Sequence, residues 1–199
     1  MASDSPRATD GRLQRSERSR AAIVEALLEL VGSGVLMPTA QQVAARAGVG
    51  IRTVFRHFSD METLFAAMAE QLRDEGRVFL EDEPGNDDLA ARARALVQRR
   101  TSFYERMAPY QRSTQLQRWR SPFLQRNQGE WGRALRRDLL RWLPELAEAE
   151  PELCDAVQAV TSFATWEHLR SEQGLGAKRT TAAIDTTVAA LTADLSNNR

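Results

Sequence analysis

Residues 39–58 read TAQQVAARAGVGIRTVFRHF. A helical stripe of Val43, Ala44 and Ala47 leads into Gly48-Val49-Gly50, and a second short run carries Arg52, Thr53 and Arg56. Two short helices joined by a tight turn make a helix-turn-helix, the unit that lays its second helix in a DNA major groove. Pro38 stops any helix arriving from upstream, and Thr39 is a good N-cap for the next. Gly48 can take the left-handed geometry of a tight turn, and Val49 plugs the turn into the core. The spacing predicts helices over 40–46 and 51–57. Val54, Phe55 and Phe58 are expected to anchor the second on its back face.

The forward face then belongs to Arg52, Thr53 and Arg56. Arginine matches the guanine edge with two hydrogen bonds, and threonine can meet a thymine methyl or a phosphate. Gly50 opens this helix without a side chain and so lets backbone approach the duplex, and Ile51, the next residue, joins the DNA-facing set. Thr39 and Gln41, at the start of the preceding helix, are candidates for phosphate contacts, which set register rather than sequence.

Upstream, Ile23, Leu27 and Leu30, broadened by Val24, Leu28 and Val31, give a helical stripe from Ser16 onward that Gly32 and Gly34 end. Residues 1–15 are polar, with Pro6 and Gly11, and are expected to form a disordered arm. Arg12, Arg15, Arg18 and Arg20 can reach phosphate or minor groove from there, or remain a solvated tail. Downstream, Ser59 and Glu62 have the spacing of a capping box for a fourth helix over 59–78, with Leu64, Phe65, Met68 and Leu72 as its stripe. A DNA-binding domain is therefore set at 16–60 and a larger helical body at 61–199.

EDEPGNDD, residues 81–88, is a solvated break. Further helices are expected at Leu89–Met107, Tyr110–Trp119, Phe123–Leu143, Pro151–Glu172 and Arg179–Leu195, with Pro109, Pro122, Pro144 and Pro151 at boundaries. No repeat and no strand-like alternation occurs. The fold expected is all-α: a three-helix reading head plus a C-terminal helical bundle, about nine helices in total.

Residues from about 16 to 70 resemble the N-terminal domain of the TetR (tetracycline-repressor-like) family of transcriptional regulators. The matching stretches are AAIVEALLELVGSGV (21–35) and QQVAARAGVGIRTVFRHFSDMETLF (41–65). SFATWEHLRSEQGLG (162–176) is a further stretch of family character. The resemblance implies a backbone-contact role for His57, a homodimer through the last two helices, and repression as the usual outcome. The family often has Ser or Thr, Tyr and Lys where Gly50, Phe55 and Met61 stand. Without a hydroxyl at 55 or an ammonium at 61, two backbone contacts are lost and weaker phosphate affinity is expected.

A small reading head buries little DNA surface, so a dimer on symmetric half-sites is expected. Leu153, Val157, Val160 and Ala164, and then Ile184, Val188, Leu191 and Leu195, form the candidate interface stripes. Ala156, Ala159, Ala183 and Ala189 would allow close helix approach. The alternative is that these stripes pack within their own subunit. Phe103, Tyr104, Met107, Trp119, Phe123, Trp131 and Trp142, interleaved with Gln115, Arg118 and Arg120, describe walls and polar groups of a small-molecule effector pocket. Taken singly, each aromatic also reads as core. Residues 89–142 hold thirteen Arg against three acids, which admits an anionic ligand but reads better as a basic face answering the acidic flanks.

Other classes find little footing. Cys154 is the lone cysteine and His57 and His168 are the only histidines, so neither a disulfide nor a zinc cluster is expected, and no cofactor. No HExxH, Ser-His-Asp set or phosphate-cradling glycine motif suggests an enzyme. Asp87-Asp88 reads as a helix cap. No membrane span or secretory leader is recognisable, which sets the cytoplasm as the expected location. Expected partners are double-stranded DNA, a second copy and an unidentified effector. The rival reading is an effector-less DNA binder or adaptor.

Overall fold

Every regular element among the described residues is helical. The computed structural model describes residues 6–85, 88–119 and 121–196, with side chains from Leu13 to Leu195 within them. In order, the helices are α1 (Pro6–Gly32), α2 (Ala40–Arg46), α3 (Ile51–His57), α4 (Met61–Glu81), α5 (Leu89–Arg118), α6 (Pro122–Trp142), α7 (Pro151–Val160), α8 (Phe163–Glu167) and α9 (Ala177–Thr192). Short 3-10 turns cover Pro144–Ala147 and Ala193–Ser196, and a π turn covers His168–Glu172. The expected all-α fold with an N-terminal helix-turn-helix is the one observed.

The chain divides into two compact units. The first is Met1–Asp74 with Pro109–Gln125, so it holds more than the reading head alone. The second is Glu75–Ala108 with Arg126–Arg199. In the first, Ile23, Leu27 and Val31 of α1 meet Val43 and Ala44 of α2, Val54 of α3 with Phe58 just after it, and Leu64, Phe65 and Met68 of α4. Each fully buried Leu, Ile or Val in this cluster contributes about 1.5–3 kcal/mol. Tyr110 packs against the same cluster. A β-carbon on Gly32 would stand 2.9 Å from its Oη, so that position requires glycine or a displaced ring. Ser113 donates to the Leu36 carbonyl at 2.7 Å.

In the second unit, Leu96, Val97, Leu139, Leu143 and Val157 are among the fully covered residues. A buried polar knot lies among them. Arg99 and Arg100 both donate to Asp138, Arg100 also to Thr161 Oγ1 at 2.8 Å and the Leu135 carbonyl at 2.7 Å. Arg99 is stacked between the rings of Phe79, at 4.1 Å, and Trp142, at 4.6 Å. Cys154 is buried and free.

Several expectations are corrected. α1 starts at Pro6, not Ser16: proline is tolerated in a first turn, and Arg, Ala, Leu and Gln are good helix formers, so nothing forces a break before Ser16. The cap of α4 is Asp60, one residue later than Ser59. Its Oδ1 accepts from the Thr63 backbone N–H at 2.7 Å and from the Thr63 hydroxyl at 2.8 Å, which holds its carboxyl below the usual range. Pro109 does not end a helix: α5 runs through it to Arg118, at the cost of the bond its missing N–H would make to the Glu105 carbonyl. Pro151–Glu172 is not one helix. It breaks at Thr161-Ser162, where Ser162 Oγ accepts from the Thr165 N–H at 3.3 Å and starts α8. The Thr161 carbonyl freed by the break accepts from the Tyr104 hydroxyl at 3.0 Å.

The candidate dimer stripes are also corrected in part. Val157, Ile184 and Val188 are covered within their own chain, so they are core. The heptad-like spacing that marks an interface marks an internal seam equally well.

Candidate nucleic-acid interface

The helix-turn-helix is fastened at each joint. Thr39 Oγ1 accepts from the Gln42 backbone N–H at 3.2 Å, while Gln42 Oε1 accepts from the Thr39 backbone N–H at 2.8 Å, a reciprocal capping box on α2. Gly48 follows the helix with φ 66°, a backbone few other residues adopt. The Val49 N–H then donates to the Ala44 carbonyl at 3.0 Å and its side chain packs on the core. Arg46 pairs with Glu29, joining α2 to α1 at the surface.

α3 is held by one narrow face. Val54 is 1% exposed and Phe58, just after the helix, 2%. Arg20 lies over the Phe58 ring at 5.1 Å. Arg52 and Arg56 are exposed, and Thr53 is half-buried between them. Gln41, Gly50 and Thr39 are exposed as well, although the Thr39 hydroxyl is already engaged with Gln42. Phe55 corrects the expected packing face: it is 47% exposed, beside Ile51 at 45%. A position one residue past Val54 is turned about 100° around the axis, away from the core that Val54 enters.

His57 is half-buried, and its Nε2 is covered with no hydrogen-bond partner among the described residues. Burial, then the charges of Arg56 and Arg20, hold its pKa below the ordinary histidine value, so the ring is neutral at pH 7.

The candidate effector residues with described side chains fall in two groups. Phe103, Tyr104, Met107, Trp131 and Trp142 belong to the second unit, and Gln115, Arg118, Trp119 and Phe123 to the first. Phe103 stacks on Phe79 with centroids 4.3 Å apart and lies 5.8 Å from Trp131. Tyr104 meets Phe163 edge-on at 5.6 Å and Trp166 at 6.1 Å. Gln115 is exposed, and Trp119 is 75% exposed, so neither lines an apolar wall within its unit. Arg120 and Asp87 lie outside the described residues, as do the side chain of Arg12 and residues 1–5. Phe79, Phe163 and Trp166 were not among the expected aromatics, because their segments read as linker and interface. The basic excess of 89–142 is partly met by acids: Arg92 pairs with Glu145, Arg94 with Asp185 and Arg136 with Asp155.

Residues 21–68 match the sequence family described as bacterial regulatory proteins, tetR family. Over this stretch, which runs from within α1 to within α4, the chain is similar to the N-terminal domain of the TetR family of regulators. Solved structures place the whole TetR-like fold. A transcriptional regulator from Rhodococcus sp. Rha1 superposes with a TM-score of 0.67 at 22% identity, covering 90% of this chain and 96% of that one. A protein described as a tetR-family transcriptional regulator from Mesorhizobium loti MAFF303099 gives 0.61 at 18% identity, over 90% and 97%. A TetR transcriptional regulator from Rhodococcus sp. RHA1 gives 0.53 at 21% identity, over 89% and 97%. No curated protein sequence matches the chain. Among the described residues, no helix is long and apolar enough to cross a membrane.

Proposed function

We propose that this TetR-family chain is a ligand-responsive repressor. It binds a palindromic operator as a homodimer in the cytoplasm and is released when a small molecule enters its C-terminal helices. The observation that carries this reading is the seating of α3: Val54 and Phe58 are locked in the core while Arg52 and Arg56 stand in solvent. A short rod with a fixed back and cationic front is what a major groove accepts.

A second copy fits the outer face of α9. Ala182, Thr186, Ala189, Ala190 and Ala193 are exposed, small and uncharged. Such a face lets helices approach closely, and with Ala159 of α7 it supports a four-helix interface. Effector binding draws support from the aromatic set around Phe103 and Tyr104. Among the described residues the buried Trp166 Nε1–H and Thr180 hydroxyl have no hydrogen-bond partner, and a ligand with acceptor atoms would satisfy them. Displacement of α4 would carry the ligand's effect to the reading head, with a coupling of about 1–3 kcal/mol.

The test is selection of bound duplexes from a random-sequence library, followed by titration of the winning fragment. A symmetric site, affinity falling steeply with salt, and a dimer by sedimentation are expected. Arg52→Ala should relax preference at one base position by about 1–3 kcal/mol, whereas Arg15→Ala should weaken all sequences alike. Equal effects from the two would refute the assigned reading face. A bound small molecule that left operator affinity unchanged at fixed salt would remove the ligand-release step.

A further inference from the structure

Ile51 and Phe55 are large apolar side chains left about half exposed, one helical turn apart on the same side of α3. Helix α3 buries Val54 almost completely, so apolar burial is available to it and is not used for these two. Their neighbours along the helix are the exposed Arg52 and Arg56, and residues 39–58 contain no acidic residue. An apolar pair within a cationic surface suits a polyanion that carries apolar projections. In the major groove only one natural base offers such a projection, the C5-methyl of thymine.

We infer that Ile51 and Phe55 form a thymine-reading edge, which specifies part of the operator through methyl contacts rather than hydrogen bonds. The inference rests on the DNA-reading role of α3 and goes beyond it by assigning base identity to two side chains without donors or acceptors. Phe55 has no hydroxyl to aim at a phosphate, so burial and dispersion are its whole contribution. Arg52 and Arg56 then read guanine or hold phosphate beside it.

The experiment uses the full chain and duplexes enriched from a random-sequence library. Each thymine of the half-site is replaced in turn by deoxyuridine, which lacks only the methyl. Binding is followed by fluorescence anisotropy at fixed salt. At one or two thymines the replacement should weaken binding about fourfold, the effect of leaving one methyl's apolar surface uncovered. Phe55→Ala should abolish that penalty at one thymine and Ile51→Ala at a neighbouring one. Neither should alter the response to 7-deazaguanine, which reports on the arginines. Because deoxyuridine changes the DNA and not the protein, folding does not enter. Deoxyuridine tolerated at every thymine, or a penalty that persists in both alanine variants, overturns the thymine-reading edge while leaving DNA binding intact. Failure to enrich any duplex overturns the DNA-reading role itself and the inference with it.

Discussion

Gly76 lies against the indole of Trp131 so closely that a β-carbon on it would stand 2.9 Å from Trp131 Cζ3. Two effects compete when alanine is placed there. Helix α4 gains about 1 kcal/mol from losing a mid-helix glycine. Overpacking against the ring costs about 1–3 kcal/mol. Trp131 is only half-buried and can yield somewhat, so Gly76→Ala is expected to be destabilising by about 1 kcal/mol net. In a Trp131→Ala background the sign should reverse. Urea unfolding of the four proteins of this cycle measures both values, and a destabilising Gly76→Ala in both backgrounds would show that the ring is not the obstacle.

Asp138 is 3% exposed and is the carboxylate shared by Arg99 and Arg100, with Arg141 also reaching Oδ1 at 3.0 Å. Asp138→Asn keeps the shape but leaves two guanidinium groups in the interior without a counter-charge. The expected loss of stability is about 3–5 kcal/mol. Arg100→Met should cost less, because Asp138 keeps Arg99 and Arg141. Chemical denaturation monitored by tryptophan fluorescence decides it. An Asp138→Asn protein as stable as the parent would mean the knot is not held by charge.

His57 sets a pH dependence with a definite sign. Its folded pKa is lowered, chiefly by burial and then by Arg56 and Arg20, so the unfolded chain takes up the proton more readily. Its contribution is therefore fully present above the unfolded value of about 6.5 and is lost as pH falls from there through the folded pKa. The parent should lose stability between about pH 7.5 and about pH 5.5, and His57→Gln should lose less over the same interval. Parallel losses in the two proteins would place the titrating group elsewhere.

The reading head was legible because its signals are local. Pro38-Thr39, Gly48 and the Val43–Val54 stripe each act within a few residues, and the bounds 40–46 and 51–57 emerge unchanged. Phe55 departs from the expected packing face because hydrophobicity alone does not mark burial, and its angular position one residue past Val54 points it outward. The body was less legible for a different reason. Pro109 carries the ordinary mark of a helix end, yet α5 continues through it. The stripe of α9 satisfies an interface and an internal seam alike, and only the burial of Ile184 and Val188 separates them. Asp138 drew no notice in sequence because its partners, Arg99 and Arg100, lie on another helix almost forty positions away.

The bend between α7 and α8 has its polar atoms answered from α5: Arg100 serves the Thr161 hydroxyl from 61 positions upstream and Tyr104 its carbonyl from 57. The C-terminal segment is thus not a portable cassette. Transplanted into another helical scaffold, it would carry its corner without the two side chains that satisfy it, and a working chimera would have to import both Arg100 and Tyr104 on α5.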